Sequence, residues 1–314
     1  MTDTVVVASP DRGEAKPPRR LGTARNREAL AGYLFILPVF LGTAIFNFYP
    51  IFRSLYLSLT ETGVFAGETF VGLQQYVRLF QDEQMLRSVF NTLIYATIGL
   101  AGIPLAVIFA GLLTKKGLRF VGGYRVLYFL PVVTMPVAVG LVWGLLFNTD
   151  YGIINQFLTA LGLSPVPWLT DPSTMMIAIA LVGIWASLGQ NIVLMLAGLQ
   201  SVPGEQLEAA TLDGAGPVRR FLRISVPMAS PTIFLVSILT VISSLQVFDL
   251  VFVMIGSTNP NIEAAQTIVY YFYKMGVEEH DRGYGAAIVS VLLVLTLLVT
   301  LIQFRLQRKW VHYE

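Results

Sequence analysis

The sequence predicts an all-α membrane protein with about six transmembrane helices and both termini in the cytoplasm. Only 13% of the 314 residues are charged and 55% are hydrophobic, whereas a soluble domain carries about 25% charged residues. Six segments supply the ~20 mostly apolar residues that a spanning helix needs. All 21 lysines and arginines lie between or beside those segments, as the cost of a cation inside a bilayer requires.

The six predicted spans divide the chain into a membrane domain and two tails. They lie at about 29–50, 89–113, 126–147, 175–199, 229–252 and 285–304. The first 28 residues are mostly polar and contain three prolines, so we expect a disordered cytoplasmic tail and no secretory signal. The membrane domain is predicted to cover 29–305, and 306–314 to form a cytoplasmic C-terminal tail.

The orientation follows from the distribution of the cations. Sixteen of the 21 lie in the N-terminal tail, the 114–125 and 200–228 loops and the C-terminal tail. The other side has five: Arg53, Arg78, Arg87, Lys274 and Arg282. The side richer in cations is normally cytoplasmic, and an even number of spans then places both termini inside.

The outer loops and the third span carry further signals. The loops at 51–88, 148–173 and 253–284 suit either short interfacial helices with an outer docking face or plain connections. Gly140 and Gly144 favour close helix packing, with dimerisation as the alternative. Pro131 and Pro136 predict a bent third span near a translocation route, although Pro131 also suits a first helical turn.

The cytoplasmic loop at 200–228 predicts two short helices separated by a break. Ser201 ahead of Glu205 is typical of a helix start. Gly214, after Asp213, is the residue best able to end a helix in a left-handed conformation. The residues alone leave two interpretations open: a rigid knob that another protein binds, or an amphipathic connector on the lipid surface.

The loop also contains a specific series of residues: Glu208, Ala209, Ala210, Asp213, Gly214, Ala215, Phe221, Ile224, Val226 and Pro227. This series resembles the EAA loop of binding-protein-dependent ABC importer permeases, whose pattern is roughly E-A-A-x-x-D-G-A, followed by an aromatic residue and I-x-L-P. Val226 stands in place of the usual leucine.

Further short segments match along the chain: FVGL at 70–73, NTL at 91–93, LFN at 146–148, PWL at 167–169, AGLQ at 197–200, VFD at 247–249 and GYG at 283–285. With these segments the resemblance extends over about 30–305. It favours the sugar-permease branch of the family, which includes the maltose and glycerol-3-phosphate permease subunits.

The resemblance implies a type I ABC importer permease fold, in which residues 208–215 form a coupling helix held by an ATPase. The implied partners are a second homologous permease subunit in a heterodimer, two cytoplasmic ATPase subunits, an extracytoplasmic solute-binding protein and membrane lipid, without nucleic acid. The chain has no G-x-x-x-x-G-K-[ST] phosphate loop. We therefore expect a non-catalytic subunit without a cofactor of its own, in a bacterial or archaeal cytoplasmic membrane, whose partners use ATP and Mg²⁺.

Polar residues within the spans are candidates for the substrate path. Resemblance places Ser187, Gln190, Thr240, Ser243, Ser244 and Val247 at or next to solute-contacting positions, and Asn191 is a further polar residue in the fourth span. Amides and hydroxyls suit sugar hydroxyls because they donate and accept hydrogen bonds. Interhelical hydrogen bonds would use the same residue types.

Three further residues in or near these spans have candidate roles. Trp185 and Phe248 are candidates to stack on a sugar face. Asp249 is either a helix cap near the outer face or a proton relay.

Import of a di- or oligosaccharide or a related sugar is therefore the predicted function. Glycerol-3-phosphate or a polyol is the alternative solute. A secondary transporter is a remote alternative, since Asp249 is the sole intramembrane carboxylate candidate. A membrane enzyme is disfavoured because no intramembrane histidine cluster or carboxylate pair is present. The two histidines lie far apart and cysteine is absent, so no metal site is predicted.

Overall fold

The computed structural model describes residues 23–63, 67–114, 121–309 and 311. Most of the predicted disordered tail, residues 115–120 of the 114–125 loop and the end of the C-terminal tail lie outside the described residues. The chain falls into two compact units, divided between Arg53 and Ser54, whereas the sequence predicts one domain over 29–305.

The described residues of the first unit form one long helical segment. Helix α1 covers Thr23–Thr43, a π-helical turn follows at Ala44–Phe48, and α2 covers Tyr49–Leu57, which crosses the unit boundary. The candidate membrane span begins at Glu28, next to the predicted start of the membrane domain at residue 29, whereas residues 23–28 of the predicted disordered tail are helical. Alanine, arginine and glutamate favour helix, so the helix continues beyond the apolar run that marks the membrane.

The second unit contains, after the end of α2, a small β-hairpin that the sequence did not predict. Strands β1 (Thr60–Gly63) and β2 (Gly67–Phe70) pair antiparallel, with Thr60 opposite Phe70. The remaining helices are α3 (Gln74–Gln81), α4 (Glu83–Leu100), α5 (Gly102–Leu113), α6 (Val121–Val133), α7 (Pro136–Leu146), α8 (Ile153–Ala160), α9 (Pro172–Gln200), α10 (Gly204–Leu212), α11 (Pro217–Arg220), α12 (Val226–Met228), α13 (Ser230–Leu245), α14 (Asp249–Ile255), α15 (Ile268–Tyr273) and α16 (Arg282–Gln307).

Three short helical turns complete these elements. They are a π-helical turn at Phe221–Ser225, a 3-10 turn at Ile262–Ala264 and a π-helical turn at Lys274–Glu278.

Among the described residues, four helical stretches are long and apolar enough to cross a membrane alone. They are Glu28–Leu57, Glu83–Leu113, Pro172–Gln200 and Arg282–Gln307. Two bent pairs bring the number to six if each pair is one span: Gly122–Val133 with Pro136–Leu146, bent by 103°, and Pro217–Met228 with Ser230–Leu245, bent by 67°. The predicted helical membrane architecture is confirmed to this extent.

The bend predicted for the third span is present. It lies between α6 and α7, and Pro136 occupies the first turn of α7. Proline suits that position because the first N–H groups of a helix have no intrahelical acceptor. Pro131, in contrast, lies inside α6.

The predicted fifth span at 229–252 is not one continuous helix. Helix α13 ends at Leu245, and α14 starts at Asp249. The break frees backbone groups that lipid cannot satisfy, and Thr267 Oγ1 donates a 2.9 Å hydrogen bond to the Val247 carbonyl. The break therefore depends on a residue 20 positions away, which local sequence does not reveal.

Helix α9 forms the centre of the second unit. Met175, Ile179, Val182, Ile192 and Met195 on this helix are all at most 2% exposed. Helices α4, α5, α6 and α13 pack against it. Burial on several sides makes α9 the fixed element against which the residues of the candidate site are positioned.

Gly140 permits close packing of α7 against α14. A Cβ added there would lie 3.0 Å from Val253 Cβ, whereas a Cβ added at Gly144 would meet no atom within 4 Å. Close local packing is thus confirmed for Gly140, while Gly144 borders open space.

Candidate functional site

A cavity of about 370 Å³ lies among the central helices of the second unit. We call it the central cavity. It is lined by Tyr95 and Gly99 of α4, by the region where α6 meets α7, by α9, and by α13 with Leu250 of α14. The lining residues are Tyr95, Gly99, Pro131, Val132, Thr134, Pro136, Val139, Ala180, Gly183, Ile184, Ala186, Ser187, Gln190, Thr240, Ser243, Ser244 and Leu250.

Five of the seven predicted substrate-path residues line the central cavity: Ser187, Gln190, Thr240, Ser243 and Ser244. The other two do not. Asn191 is 7% exposed on another side of α9, and Val247 packs against an apolar cluster that includes Met254.

Tyr95 and Gly183 are cavity residues that the sequence reasoning missed. A Cβ at Gly183 would lie 2.1 Å from the Tyr95 hydroxyl oxygen. Similarly, a Cβ at Gly99 would lie 3.0 Å from Ser244 Oγ. These glycines let α4 approach α9 and α13 closely. The contacts join segments that are far apart in the chain, so no local sequence pattern predicts them.

The cavity hydroxyls differ in their hydrogen bonding. Ser187 Oγ donates to the Ile184 carbonyl at 3.2 Å, and Ser243 Oγ donates to the Thr240 carbonyl at 3.0 Å. Their oxygens therefore remain available as acceptors. Thr240 Oγ1 is buried and has no partner among the described residues. A buried hydroxyl without a hydrogen-bond partner costs on the order of 1–3 kcal/mol of stability. Among these cavity hydroxyls, that of Thr240 therefore gains most from a hydrogen bond to a bound solute.

None of the described residues that line the central cavity is charged. Asp249 is exposed and is the first residue of α14, whereas Phe248 occupies the N-cap position. The expected capping role is therefore wrong in detail, although a carboxylate in a first turn is favourably placed toward the helix dipole.

The two aromatic residues considered for stacking contact other rings instead. The ring centroids of Trp185 and Trp143 are 5.5 Å apart. Phe248 lies 5.2 Å from Phe252 and 5.1 Å from Tyr273. Neither Trp185 nor Phe248 lines the central cavity.

The 200–228 loop forms the predicted helix–glycine–helix unit. Helix α10 ends at Leu212, and Gly214 adopts a φ of +78°. The Ala215 N–H donates to the Ala210 carbonyl at 2.9 Å, and the Gly214 N–H donates to the Thr211 carbonyl at 3.1 Å. This pair of bonds is the Schellman arrangement, which fixes the direction in which the chain leaves the helix.

The predicted capping role of Ser201 is wrong. Ser201 ends α9, where its hydroxyl donates to the Gly198 carbonyl at 2.8 Å, and Pro203 precedes α10. A cap at Ser201 would start the helix at residue 202, whereas α10 starts at Gly204. The delay reflects the extended conformation that proline and the residue before it favour.

Several residues of the predicted coupling segment are open to solvent. Glu208, Ala209, Asp213 and Gly214 are exposed, while Ala210 and Ala215 are half-buried. Leu212 is 90% exposed and Val218 is 70% exposed. The end of α10 and the start of α11 therefore carry both apolar and acidic groups on a free surface.

A polar junction joins helices α3, α4, α15 and α16. Asp82 accepts hydrogen bonds from the hydroxyls of Tyr271 and Tyr284, the latter at 2.5 Å, and from the Gln84 N–H at 2.9 Å. Arg78 pairs with Asp281 at 2.6 Å. Burial alone would raise the pKa of Asp82, but these donors outweigh it, so the pKa lies below its usual value.

Residues 102–312 match the family described as binding-protein-dependent transport system inner membrane component. The chain is 33% identical over 290 residues to the probable ABC transporter permease protein YurN of Bacillus subtilis, covering 89% of this chain and 97% of that protein. It is 33% identical over 287 residues to the sn-glycerol-3-phosphate transport system permease protein UgpA of Yersinia enterocolitica, covering 90% and 95%.

Two further similarities extend over most of the chain. The trehalose/maltose transport system permease protein MalF of Thermococcus litoralis is 30% identical over 286 residues, covering 90% of this chain and 96% of that protein. A chain of the bacterial alginate ABC transporter, solved in complex with an alginate pentasaccharide-bound periplasmic protein, superposes with a TM-score of 0.81. It covers 93% of this chain and 98% of that chain at 24% identity, which establishes a shared fold.

Proposed function

Because the chain belongs to the family of inner membrane components of binding-protein-dependent transport systems, we propose that it imports a carbohydrate across the cytoplasmic membrane. In this role it is the permease subunit of an ATP-driven importer. The solute is a di- or oligosaccharide or a related sugar. The chain itself catalyses no reaction.

The observation that carries the proposal is the exposed coupling helix, residues 208–215, which comprises the end of α10 and the turn that follows it. Its end is fixed by the left-handed Gly214 and by two hydrogen bonds. A partner that grips a helix with a fixed end moves the attached chain, whereas a flexible loop would absorb the motion. Leu212, 90% exposed, and the acidic Glu208 give an ATPase both an apolar and a charged contact.

The chemistry of the central cavity supports a neutral, hydroxyl-rich solute. Serine and threonine hydroxyls and the Gln190 amide line the cavity without a charged side chain. Such groups donate and accept hydrogen bonds, as sugar hydroxyls do. A phosphate ester such as glycerol-3-phosphate, the solute in the name of one relative, would be expected to meet arginine or lysine in this chain's part of the path.

The proposed assembly contains four further kinds of component. A second homologous permease subunit completes the membrane path, two cytoplasmic ATPase subunits hold ATP and Mg²⁺, and an extracytoplasmic protein delivers the solute in a lipid membrane. The cation asymmetry of sixteen against five supports a cytoplasmic location for the coupling helix and for both termini.

In the proposed cycle, closure of the ATPases displaces the coupling helix and opens the central cavity outward. The solute then enters from the binding protein. Hydrolysis of ATP by the partner subunits resets the cavity toward the cytoplasm. The seven predicted path residues have separate roles in this scheme: five offer hydrogen bonds to the solute, while Asn191 and Val247 support the helices behind them.

The experiment that tests the proposal isolates the importer and identifies its solute. The tagged chain is co-purified with its ATPase and its binding protein, and the binding protein is screened with sugars, polyols and glycerol-3-phosphate by thermal shift. We expect stabilisation by a sugar and ATP-dependent uptake of that sugar in proteoliposomes. Stabilisation by glycerol-3-phosphate alone, or uptake without ATP, would contradict the proposal.

The substitution Glu208→Lys tests the role of the coupling helix. The side chain is exposed, so the change has little effect on folding but reverses a charge on the proposed contact surface. We expect membrane insertion to persist while uptake and co-purification of the ATPase are lost. Glu205→Lys, on α10 but outside the matched motif, is the control and should retain uptake.

A further inference from the structure

The Phe221 ring rests directly on the backbone of α5 at Gly111. A Cβ added to Gly111 would lie 2.4 Å from Phe221 Cε2, 2.6 Å from Cζ and 3.2 Å from Cδ2. Contacts of this length do not occur between a Cβ and a ring, so only glycine accepts Phe221 here without movement. We call this contact the Gly111 notch.

Phe221 belongs to the second half of the 200–228 loop. It is the first residue of the π-helical turn at Phe221–Ser225, between α11 and α12. Phe221 and Val226 both pack against the apolar cluster that includes Ala106 and Ala110 of α5. This half of the loop is thus fastened to α5 by side-chain packing.

A hydrogen bond ties the coupling helix to that fastened half. The Arg220 guanidinium donates to Thr211 Oγ1, and Arg220 immediately precedes Phe221. The Schellman turn at Gly214 fixes the exit from α10. A displacement of α10 is therefore passed to α11 and to the Phe221 ring instead of being lost in a loose connection.

Helix α5 continues from α4, with one intervening residue, Ala101. Helix α4 supplies Tyr95 and Gly99 to the wall of the central cavity. The chain of contacts from α10 through Phe221 and α5 consequently ends at the cavity.

We propose that the Phe221 ring in the Gly111 notch is the joint through which movement of the coupling helix reaches α5 and the central cavity. Gly111 and Phe221 are positioning residues in this scheme. The inference rests on the proposed function, since it assumes that an ATPase moves α10. It adds which contact carries that motion into the membrane helices.

The test uses the whole importer in proteoliposomes with its ATPase and binding protein, and measures solute uptake and ATP hydrolysis per assembled complex. We expect Gly111→Ala to lower the solute imported per ATP by about tenfold, since the new methyl group overpacks the joint. Gly144→Ala is the matched control, because a Cβ there meets no atom within 4 Å, and should leave the ratio unchanged.

A compensating variant separates a joint from a simple structural contact. Phe221→Leu removes the atoms closest to the new methyl group. The double variant Gly111→Ala/Phe221→Leu should therefore recover most of the lost coupling. If Gly111→Ala leaves the ratio unchanged, or if uptake, ATP hydrolysis and complex assembly fall together without recovery in the double variant, the joint is refuted.

A distance measurement provides a readout that packing alone would not change. The chain has no cysteine, so spin labels on Gln206→Cys in α10 and Ile108→Cys in α5 report one distance. We expect that distance to stay constant on ATP binding in the parent, because the two helices move together, and to change in the Gly111→Ala background. A large change in the parent would overturn the joint. ATP-independent uptake by the parent would overturn both the joint and the proposed function.

Discussion

Substitution of Gly214 tests the turn that gives the coupling helix its fixed end. At a φ of +78°, an ordinary L-residue costs about 1–2 kcal/mol. A Cβ at this position would meet no atom within 4 Å, so the cost comes from the backbone alone. It lowers the population of the intact turn by about 5- to 30-fold relative to other conformations.

The variants at position 214 should form a graded series. Gly214→Asn should retain most of the uptake, because asparagine tolerates the left-handed conformation better than other residues with a side chain. Gly214→Ala should reduce uptake by up to about 5- to 30-fold, the factor by which the intact turn is depopulated. Gly214→Pro should abolish uptake, because proline fixes φ near −65° and removes the N–H that donates to the Thr211 carbonyl.

The assay measures ATP-driven uptake, normalised to the amount of membrane-inserted protein. Gly216→Ala is the matched control: its φ of −65° imposes no left-handed strain, and a Cβ there also meets nothing within 4 Å. Uptake that is equal in the asparagine, alanine and proline variants would refute the reasoning. So would a loss in Gly216→Ala as large as that in Gly214→Ala.

Three further predictions concern the polar junction at Asp82, the 148–173 loop and the wall of the central cavity. The pKa of Asp82 is lowered in the folded chain, so its ionised form contributes stability fully above the unfolded value of 3.8, and this contribution is lost as pH falls through the lowered pKa. The melting temperature of the parent should therefore fall below about pH 4 relative to that of Asp82→Asn. Melting temperatures of the two proteins that change in parallel with pH would contradict this. Asn155→Leu removes the acceptor for the Trp168 indole N–H. We expect the loop to lose about 1–3 kcal/mol of local stability, visible as faster hydrogen exchange in that loop. Unchanged exchange would refute this. Gly183→Ala should destabilise the purified protein by about 1–3 kcal/mol, since its Cβ would lie 2.1 Å from the Tyr95 hydroxyl, and Tyr95→Phe should restore part of the thermal stability; no restoration would show that another contact causes the loss.

The membrane architecture was predictable because bilayer thickness imposes a length on apolar segments. The bend near Pro136 was also predictable, since proline restricts the residue before it and starts helices. The break after Leu245 was not. No proline or glycine marks it, and it is stabilised by Thr267, far along the chain.

The end of the coupling helix was predicted closely, whereas its start was not. Gly214 after Asp213 is a strong local signal, and the structure places the left-handed turn there. Ser201 looked like a helix cap, yet its hydroxyl bonds to the preceding helix. Local sequence identifies a residue able to cap a helix, but the neighbouring helix decides which backbone group it meets.

The cavity was predictable in part. Polar residues within apolar spans indicated five of its lining residues, because polar groups in a bilayer seek partners or water. Tyr95, Gly183 and the Gly111 notch were not predictable. A glycine in a membrane helix is common, and its partner side chain, such as Phe221, is separated from it by many residues.

Cross-linking from the coupling helix tests the central claim most directly. Since the chain lacks cysteine, Leu212→Cys introduces a single thiol on a residue that is 90% exposed. We predict that this thiol cross-links to the ATPase subunit in native membranes and is shielded from a membrane-impermeant reagent added outside intact cells. Labelling from the outside, or no cross-link to an ATPase in the assembled importer, would contradict the account.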